Sequence, residues 1–252
     1  MIASEGTVGH NARINGLEMH YELHGNGQPL VLLHGGLGAI EMFESLLPSL
    51  AAIRQVVAVD LEGHGRTGAI DRPFSFGVMA DDIAALIKHL ALDQVDILGY
   101  SLGGSIALQV ALRHPNRVAK LILVSTPIRR SALRPAFLAP VTLEAWSAAL
   151  ENSPIHQLYE RLAPKPADWP RLLEKMLALT TTEFDYTRQL TCLTGPTMIV
   201  AADQDIFPPS HATEAFELLG GRAQLAILPG ASHQTVFMHP AFTTIVSGFL
   251  RE

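Results

Sequence analysis

Val95-Asp96-Ile97-Leu98-Gly99-Tyr100-Ser101-Leu102-Gly103 is the stretch from which the rest of this chain is read. Val95–Leu98 is a short apolar run, and beyond Ser101 the residues Ile106 and Val110, with the alanines up to Arg113, recur at helical spacing. The serine therefore stands on a sharp strand-to-helix turn. Backbone in such a turn is strained and crowded, and glycine neighbours relieve the crowding because they carry no Cβ. The turn lifts the serine oxygen above the end of the sheet, with the N–H of Leu102 beside it. G-x-S-x-G arises by chance in about one chain in ten of this size, given ordinary Gly and Ser usage. Its position between a strand and a helix is what gives it weight against the alternative of a purely structural turn.

Working outward, Leu30–Leu33, Val56–Val59, Lys120–Val124, Thr197–Ala201 and Gln224–Leu228 are further short apolar runs. Continuous runs of this length suit parallel strands covered on both faces. Met79, Ile83, Leu86 and Leu90 mark a helix between two of them. Near the N-terminus, Ala12–Ile14 and Leu17–Leu23 flank Asn15-Gly16, a dipeptide suited to a type I′ hairpin turn. Alternating strands and helices imply right-handed crossovers and an α/β fold with a mostly parallel, doubly wound sheet. The rhythm breaks from Pro127 to Pro196, which holds both tryptophans and 8 of the 16 prolines. Leu143/Trp146/Leu150, Ile155/Leu158/Leu162 and Trp169/Leu172/Leu173/Met176 each form an apolar helical stripe there, and Asp168 before Pro170 reads as a helix start. The expected organisation is a core of residues 1–126 and 194–252 with an inserted helical cap, 127–193. A longer connection packed on the sheet is the alternative, but the segment exceeds ordinary connections.

Composition narrows the function classes. The chain has 252 residues, 48% of them hydrophobic and 17% charged, with a formal charge of -6. One large core is feasible at this length, and the charged fraction is too low for a disordered chain. The acidic balance and the lack of a Lys/Arg run argue against nucleic acid. Cys192 is alone, so there is no intrachain disulfide framework and no cysteine-based zinc site. No segment reaches 18 apolar residues and the N-terminus lacks the pattern of an export signal. The expectation is a soluble, cytoplasmic protein without membrane association.

A serine hydroxyl is a weak nucleophile at neutral pH and needs a base, which in turn needs an orienting acid. Among 11 histidines, His233 follows Leu228-Pro-Gly-Ala-Ser, a loop at the same end of the sheet as Ser101. His10, His20 and His24 belong to the hairpin region, His89 and His114 to helix ends, His156 and His211 to the surface, and His239 precedes a proline. For the acid, the run Thr197–Ala201 leads into Ala202-Asp203-Gln204-Asp205. Asp203, nearer the strand, could hydrogen-bond loop amides as turn aspartates commonly do. Asp205 lies further out, better placed to reach an imidazole in the next loop, and is the preferred candidate with Asp203 as its rival. After Leu30–Leu33 comes His34-Gly35-Gly36-Leu37-Gly38, whose backbone N–H at Gly36 can face the reaction centre opposite that of Leu102. Two such donors stabilise a developing oxyanion, and losing one costs about 10²–10³-fold in rate. A dinucleotide-binding turn, with Asp60 as the ribose acid, is disfavoured because Glu41 stands where the third glycine is needed.

His34-Gly35-Gly36, the segment Asp60-Leu-Glu-Gly-His64-Gly-Arg66, Gly99-Tyr-Ser101-Leu-Gly103-Gly104 and the late Asp and His together resemble the α/β-hydrolase superfamily, in its order and over nearly the whole chain outside 127–193. The resemblance implies a cap at the proline-rich insert and no cofactor. It implies an acid about four residues before a proline, which Asp205 and Pro209 fit, and a structural rather than catalytic role for His64. Branches with an aspartate nucleophile lack the serine found here. The activity so implied is hydrolysis of a small or medium carboxylic ester or lactone by Ser101, His233 and Asp205, with the Gly36 and Leu102 amides as oxyanion hole. Leu37, Trp146, Leu150, Trp169 and Met176 are the candidate pocket walls. The superfamily also contains carbon–carbon bond hydrolases, cofactor-free perhydrolases and lyases, and a ligand-sensing pocket with negligible turnover is a third reading. The expected partner is a small acyl compound, with no metal, and the chain a monomer or homodimer.

Overall fold

A computed structural model describes residues 8–252; the N-terminal reading rests partly on residues 1–7, which lie outside the described residues. The chain builds one eight-stranded sheet in the order β1-β2-β4-β3-β5-β6-β7-β8. The strands are β1 (Val8–Ile14), β2 (Leu17–His24), β3 (Pro29–Leu33), β4 (Gln55–Val59), β5 (Val95–Tyr100), β6 (Val118–Val124), β7 (Thr197–Gln204) and β8 (Ala223–Ser232). β1 and β2 pair antiparallel, as do β2 and β4, and all remaining pairs are parallel. The hairpin turn places Asn15 at φ 47° and Gly16 at φ 91°, the doubly left-handed geometry of a type I′ turn. This is the mostly parallel α/β sheet the sequence pattern implies.

Alternate residues of the apolar runs feed two separate cores. Val31, Leu33, Val57, Val59, Ile97 and Leu123 face one side, while Leu30, Leu32, Val56, Ala58, Leu98 and Ile122 face the other. That division explains why the runs show no polar alternation: neither side-chain direction meets water. The second side is covered by α1 (Leu47–Ala51) and, at the chain's end, by α10 (Phe242–Arg251), which buries Phe242, Val246, Phe249 and Leu250. The first is covered by α2 (Phe76–His89), α3 (Leu102–Arg113) and α9 (Pro209–Leu219).

Between β6 and β7 the chain contributes only helical elements: α4 (Pro135–Leu138), α5 (Leu143–Leu150), α6 (Pro154–Leu162), α7 (Trp169–Thr181) and α8 (Thr187–Leu190), with two short 3-10 turns. Ser153 caps α6 by accepting the His156 N–H, and Thr142 caps α5 through the Ala145 N–H. Asp168 does precede α7, but its side chain makes no capping bond. The two ends of this segment meet in a short antiparallel contact: Tyr186 N–H donates to Ile128 C=O, and Arg130 N–H to Phe184 C=O. Trp169, Leu172, Leu173 and Met176 of α7 are buried and join the first core.

Three expectations need correction here. Ile155 is exposed, and the buried residue of α6 is Tyr159, which packs with His156 against the Trp169 ring at centroid distances of 5.1 and 4.8 Å. His211 is not a surface residue: it is buried at the start of α9, where Nε2 accepts the Ile128 N–H at 3.0 Å and thereby ties the root of the helical segment to the core. His156, too, is half-covered by its stack on Trp169. A histidine next to polar residues reads as exposed when its partner is distant in the chain.

Candidate active site

Ser101 sits between β5 and α3 with φ 53° and ψ −113°, a conformation that L-residues other than glycine rarely adopt. The turn is tolerable because its flanks have no side chains to clash. A Cβ on Gly99 would strike the Gly103 carbonyl, and one on Gly103 would strike the backbone of Leu33 and His34. Strained backbone of this kind concentrates where function demands a particular exposure of a side chain.

The structure brings three distant loops to this point. His233, immediately after β8, places Nε2 3.0 Å from Ser101 Oγ and Nδ1 2.7 Å from Asp205 Oδ1. Asp205, immediately after β7, is buried and accepts on both oxygens. Oδ1 also receives the Ile206 N–H at 2.8 Å, while Oδ2 receives the Ser125 hydroxyl at 2.5 Å and the Ala202 N–H at 3.2 Å. Burial opposes ionisation of this carboxyl, but hydrogen bonds from His233 and Ser125, the charge on the histidine and the Ile206 amide outweigh it and hold the acid below its usual range. An ionised Asp205 accepts a hydrogen bond from His233 Nδ1–H, leaving Nε2 with its lone pair toward Ser101. Asp203, the rival acid, points elsewhere: one oxygen receives the Gly230 N–H at 3.0 Å.

Residues outside the sequence reading steady this arrangement. Tyr100 donates its hydroxyl to the His233 carbonyl at 2.8 Å and lays its ring 5.1 Å from the imidazole, edge-on to Phe237 at 4.8 Å. Arg134, from the helical segment, donates Nε to the Asp205 carbonyl at 2.7 Å, and its own N–H goes to the Ile206 carbonyl. Ser125, at φ 48°, is held at the end of β6 where its hydroxyl can reach Asp205. Tyr100 lies within the Gly99–Gly103 motif but at a position the motif leaves free, and Ser125 and Arg134 lie in no local motif, although the turn-forming Ser125-Thr-Pro127 after an apolar strand is a visible clue.

The loop after β3 is fixed by its histidine. His34 is fully buried, donates Nδ1–H to the Gly35 carbonyl at 2.7 Å and accepts the Leu61 N–H on Nε2 at 3.1 Å. Burial lowers its pKa to about 4, so at neutral pH it is the uncharged tautomer this bonding requires. Gly36 and Leu37, the latter at φ 60°, then face the same cavity as Ser101 and Leu102. Leu102 is the first residue of α3, and N–H groups in a first helical turn have no intrahelical acceptor. Asp60 and His64 lie behind this loop and away from the cavity. Asp60 is consumed by the Ile40 and Arg66 N–H groups and the Arg66 guanidinium, which removes the ribose-acid reading. His64 is buried, and burial, with His34 close by, lowers its pKa to about 3.

The cavity over Ser101 encloses about 220 Å³. Of the five wall residues expected from sequence, Leu37, Trp146 and Met176 line it. Leu150 does not, and Trp169 does not, because its ring is committed to the stack with His156 and Tyr159. Besides Ser105 and Pro127, the wall includes Phe76, Leu133, Leu179, Thr180, Phe184 and Ile206, which the sequence does not single out. They come from five separate stretches of chain, so no single periodicity marks them. Among the described residues no cluster of His, Cys, Asp and Glu is arranged to hold a metal ion, and no helix is long and apolar enough to cross a membrane.

Comparison with known proteins gives the family. A family model described as the alpha/beta hydrolase fold matches residues 28–161, just over half of the chain. A putative carbamate hydrolase, RutD, of Rhizobium rhizogenes is 30% identical, the match covering 92% of this chain and 98% of that protein. The dihydrolipoyllysine-residue acetyltransferase component of an acetoin cleaving system of Pseudomonas putida is also 30% identical over 91% of this chain, which spans only 65% of that longer protein. Among solved structures, the enol-lactonase of Burkholderia xenovorans superposes with a TM-score of 0.79 at 21% identity, over 96% of this chain and 100% of that one, a likeness of fold. On the matched sequence and on the order of its strands, the chain belongs to the alpha/beta hydrolase fold family.

Proposed function

We propose that this protein is a serine hydrolase that cleaves a small or medium carboxylic ester or lactone through an acyl-enzyme. The observation that carries the reading is the continuous relay Ser101 Oγ–His233 Nε2 at 3.0 Å and His233 Nδ1–Asp205 Oδ1 at 2.7 Å. Ser101 attacks the substrate carbonyl carbon while its proton passes to His233 Nε2. Asp205 keeps the imidazole in the Nδ1–H tautomer and stabilises the imidazolium without taking the proton itself. The carbonyl oxygen, now negative, is received by the Gly36 and Leu102 N–H groups. His233 then returns the proton to the departing alkoxide, and the C–O bond breaks. Water, deprotonated by the same nitrogen, releases the acid and regenerates Ser101.

The helical segment 127–193 acts in this reading as a cap that shapes the substrate and limits water, with Trp146 and Met176 as walls and Arg134 as its link to the acid loop. The likeness to a carbamate hydrolase and an enol-lactonase supports an acyl compound as substrate without choosing between ester and lactone. A cytoplasmic setting without nucleic-acid or membrane partners accords with the composition and the single exposed Cys192.

The test is steady-state hydrolysis of p-nitrophenyl acetate and butyrate by the protein and its Ser101→Ala variant. Rapid turnover that disappears in the variant supports the reading. Turnover surviving in Ser101→Ala contradicts it, as does the absence of turnover on every ester and lactone in a graded series.

A further inference from the structure

Resting on the acyl-transfer reading above, the wall of the cavity carries information about the acyl group itself. Ser101 is overlaid by Leu133, Trp146, Met176, Leu179 and Phe184, and no residue lining the cavity bears a charge. Its polar side-chain groups besides the nucleophile are two hydroxyls and the Trp146 indole N–H, all uncharged. Thr180 spends its hydroxyl on the Met176 carbonyl at 2.9 Å. Ser105, one helical turn beyond Ser101, brings a neutral hydroxyl. The cations of the surrounding segments are already engaged: Arg130 pairs with Glu183 at 2.8 Å and donates to the Thr180 carbonyl, and Arg134 donates to the Asp205 carbonyl. Lys175, on the same helix as Met176, turns outward to the Ile70 and Arg72 carbonyls.

A carboxylate carried into this cavity would lose its hydration and find no cation, with only the Ser105 hydroxyl and the Trp146 indole N–H as neutral donors besides the nucleophile. Such a group is costly to bury without a partner. An aliphatic chain would instead exchange water contact for apolar wall. The 220 Å³ cavity leaves room for such a chain beside Ser101. We propose that the site selects an uncharged, apolar acyl group and rejects acyl groups of the same length that end in a carboxylate.

The experiment compares kcat/KM for p-nitrophenyl hexanoate with that for p-nitrophenyl hydrogen adipate, which has the same chain with a terminal carboxylate. The expected ratio is at least about 100 in favour of hexanoate; a ratio within about threefold of unity overturns the proposal. Leu133, half-buried where the wall nears the surface, provides a converse variant. Leu133→Arg supplies the missing cation and is expected to narrow the ratio at least tenfold, whereas an unchanged ratio counts against the proposal. A binding readout separates this inference from the reaction it rests on. Hexanamide is expected to raise Tm and adipamate to leave it unmoved at equal concentration. If neither ester is turned over through Ser101 but this difference is found, the acyl-transfer reading has failed and the charge selection stands. If adipamate stabilises the protein as well as hexanamide does, the charge selection is wrong whatever the catalytic result.

Discussion

Replacing Asp205 by asparagine keeps the shape of the acid and removes its charge, and the surrounding donors make the outcome unusually well defined. Oδ1 receives His233 Nδ1–H and the Ile206 N–H, while Oδ2 receives the Ser125 hydroxyl and the Ala202 N–H. An asparagine amide has one accepting oxygen, so one of these pairs must face its NH₂. If the NH₂ faces His233, the imidazole must accept at Nδ1 and carry its proton on Nε2, pointing at Ser101 and unable to receive a second. The Ile206 N–H is then without an acceptor. If the amide is turned over, Ser125 can rotate to accept but the Ala202 N–H cannot, and the imidazolium has lost its counter-charge. Either orientation orphans one buried N–H, a cost of about 1–3 kcal/mol in stability. The wrong tautomer or the lost charge lowers kcat by about 10³–10⁴-fold. Asp203→Asn is the matched control, because an amide oxygen can still accept the Gly230 N–H; its kcat stays within about threefold. Steady-state hydrolysis of p-nitrophenyl butyrate and urea unfolding measure the two effects. A variant Asp205→Asn that retains more than about a tenth of kcat, or an Asp203→Asn that loses more than Asp205→Asn, refutes the assignment.

Three further outcomes follow from the same geometry. Tyr100→Phe keeps the ring against His233 and Phe237 but removes the hydroxyl from the His233 carbonyl; the loss of roughly 1 kcal/mol of positioning should appear as a fall of about fivefold in kcat with KM little changed, and an unaltered kcat would deny Tyr100 that role. Arg134→Met cuts the side-chain link between the helical segment and the Asp205 carbonyl; kcat is expected to fall by about tenfold, with Arg134→Lys recovering part of it, and a pure KM effect would argue for substrate contact instead. Stability should fall on acidification: His34 and His64 are held neutral in the fold down to about 4 and about 3, whereas in the unfolded chain they take up protons below about 6.5. Above that pH both states are neutral and these residues contribute no pH dependence. Below it the unfolded state binds the extra protons, so each lowers stability by about 1.4 kcal/mol per pH unit, or about 4 kcal/mol together by pH 5. Urea unfolding at pH 7 and pH 5 checks this, and equal stabilities would contradict it.

The strands, the elbow and its histidine were readable in the sequence because their information is local. A continuous apolar run, a glycine on each side of Ser101, and a histidine soon after the last run are all patterns within a few residues. The preference for Asp205 over Asp203 needed only the reach of a loop. What stayed hidden depends on pairs far apart in the chain. Ser125 and Arg134 reach Asp205 from 80 and 71 residues away, and Tyr100 reaches His233 across 133. Trp169 lies on the same apolar stripe as Met176, yet only Met176 reaches the cavity, because His156 and Tyr159 occupy the other ring's face. His211 reads as a polar surface residue until the Ile128 N–H is placed beside it. Periodicity tells which side of a helix is covered, and not whether the cover is protein or ligand.

The most direct measurement is the mass of the protein after reaction with a fluorophosphonate, followed by peptide mapping and repeated with His233→Ala. Rapid addition of a single phosphonyl group on Ser101, slowed by several orders of magnitude in the histidine variant, is the predicted result. An unmodified Ser101, or a labelling rate indifferent to His233, would mean that the short contact between these two side chains does not make the serine a nucleophile.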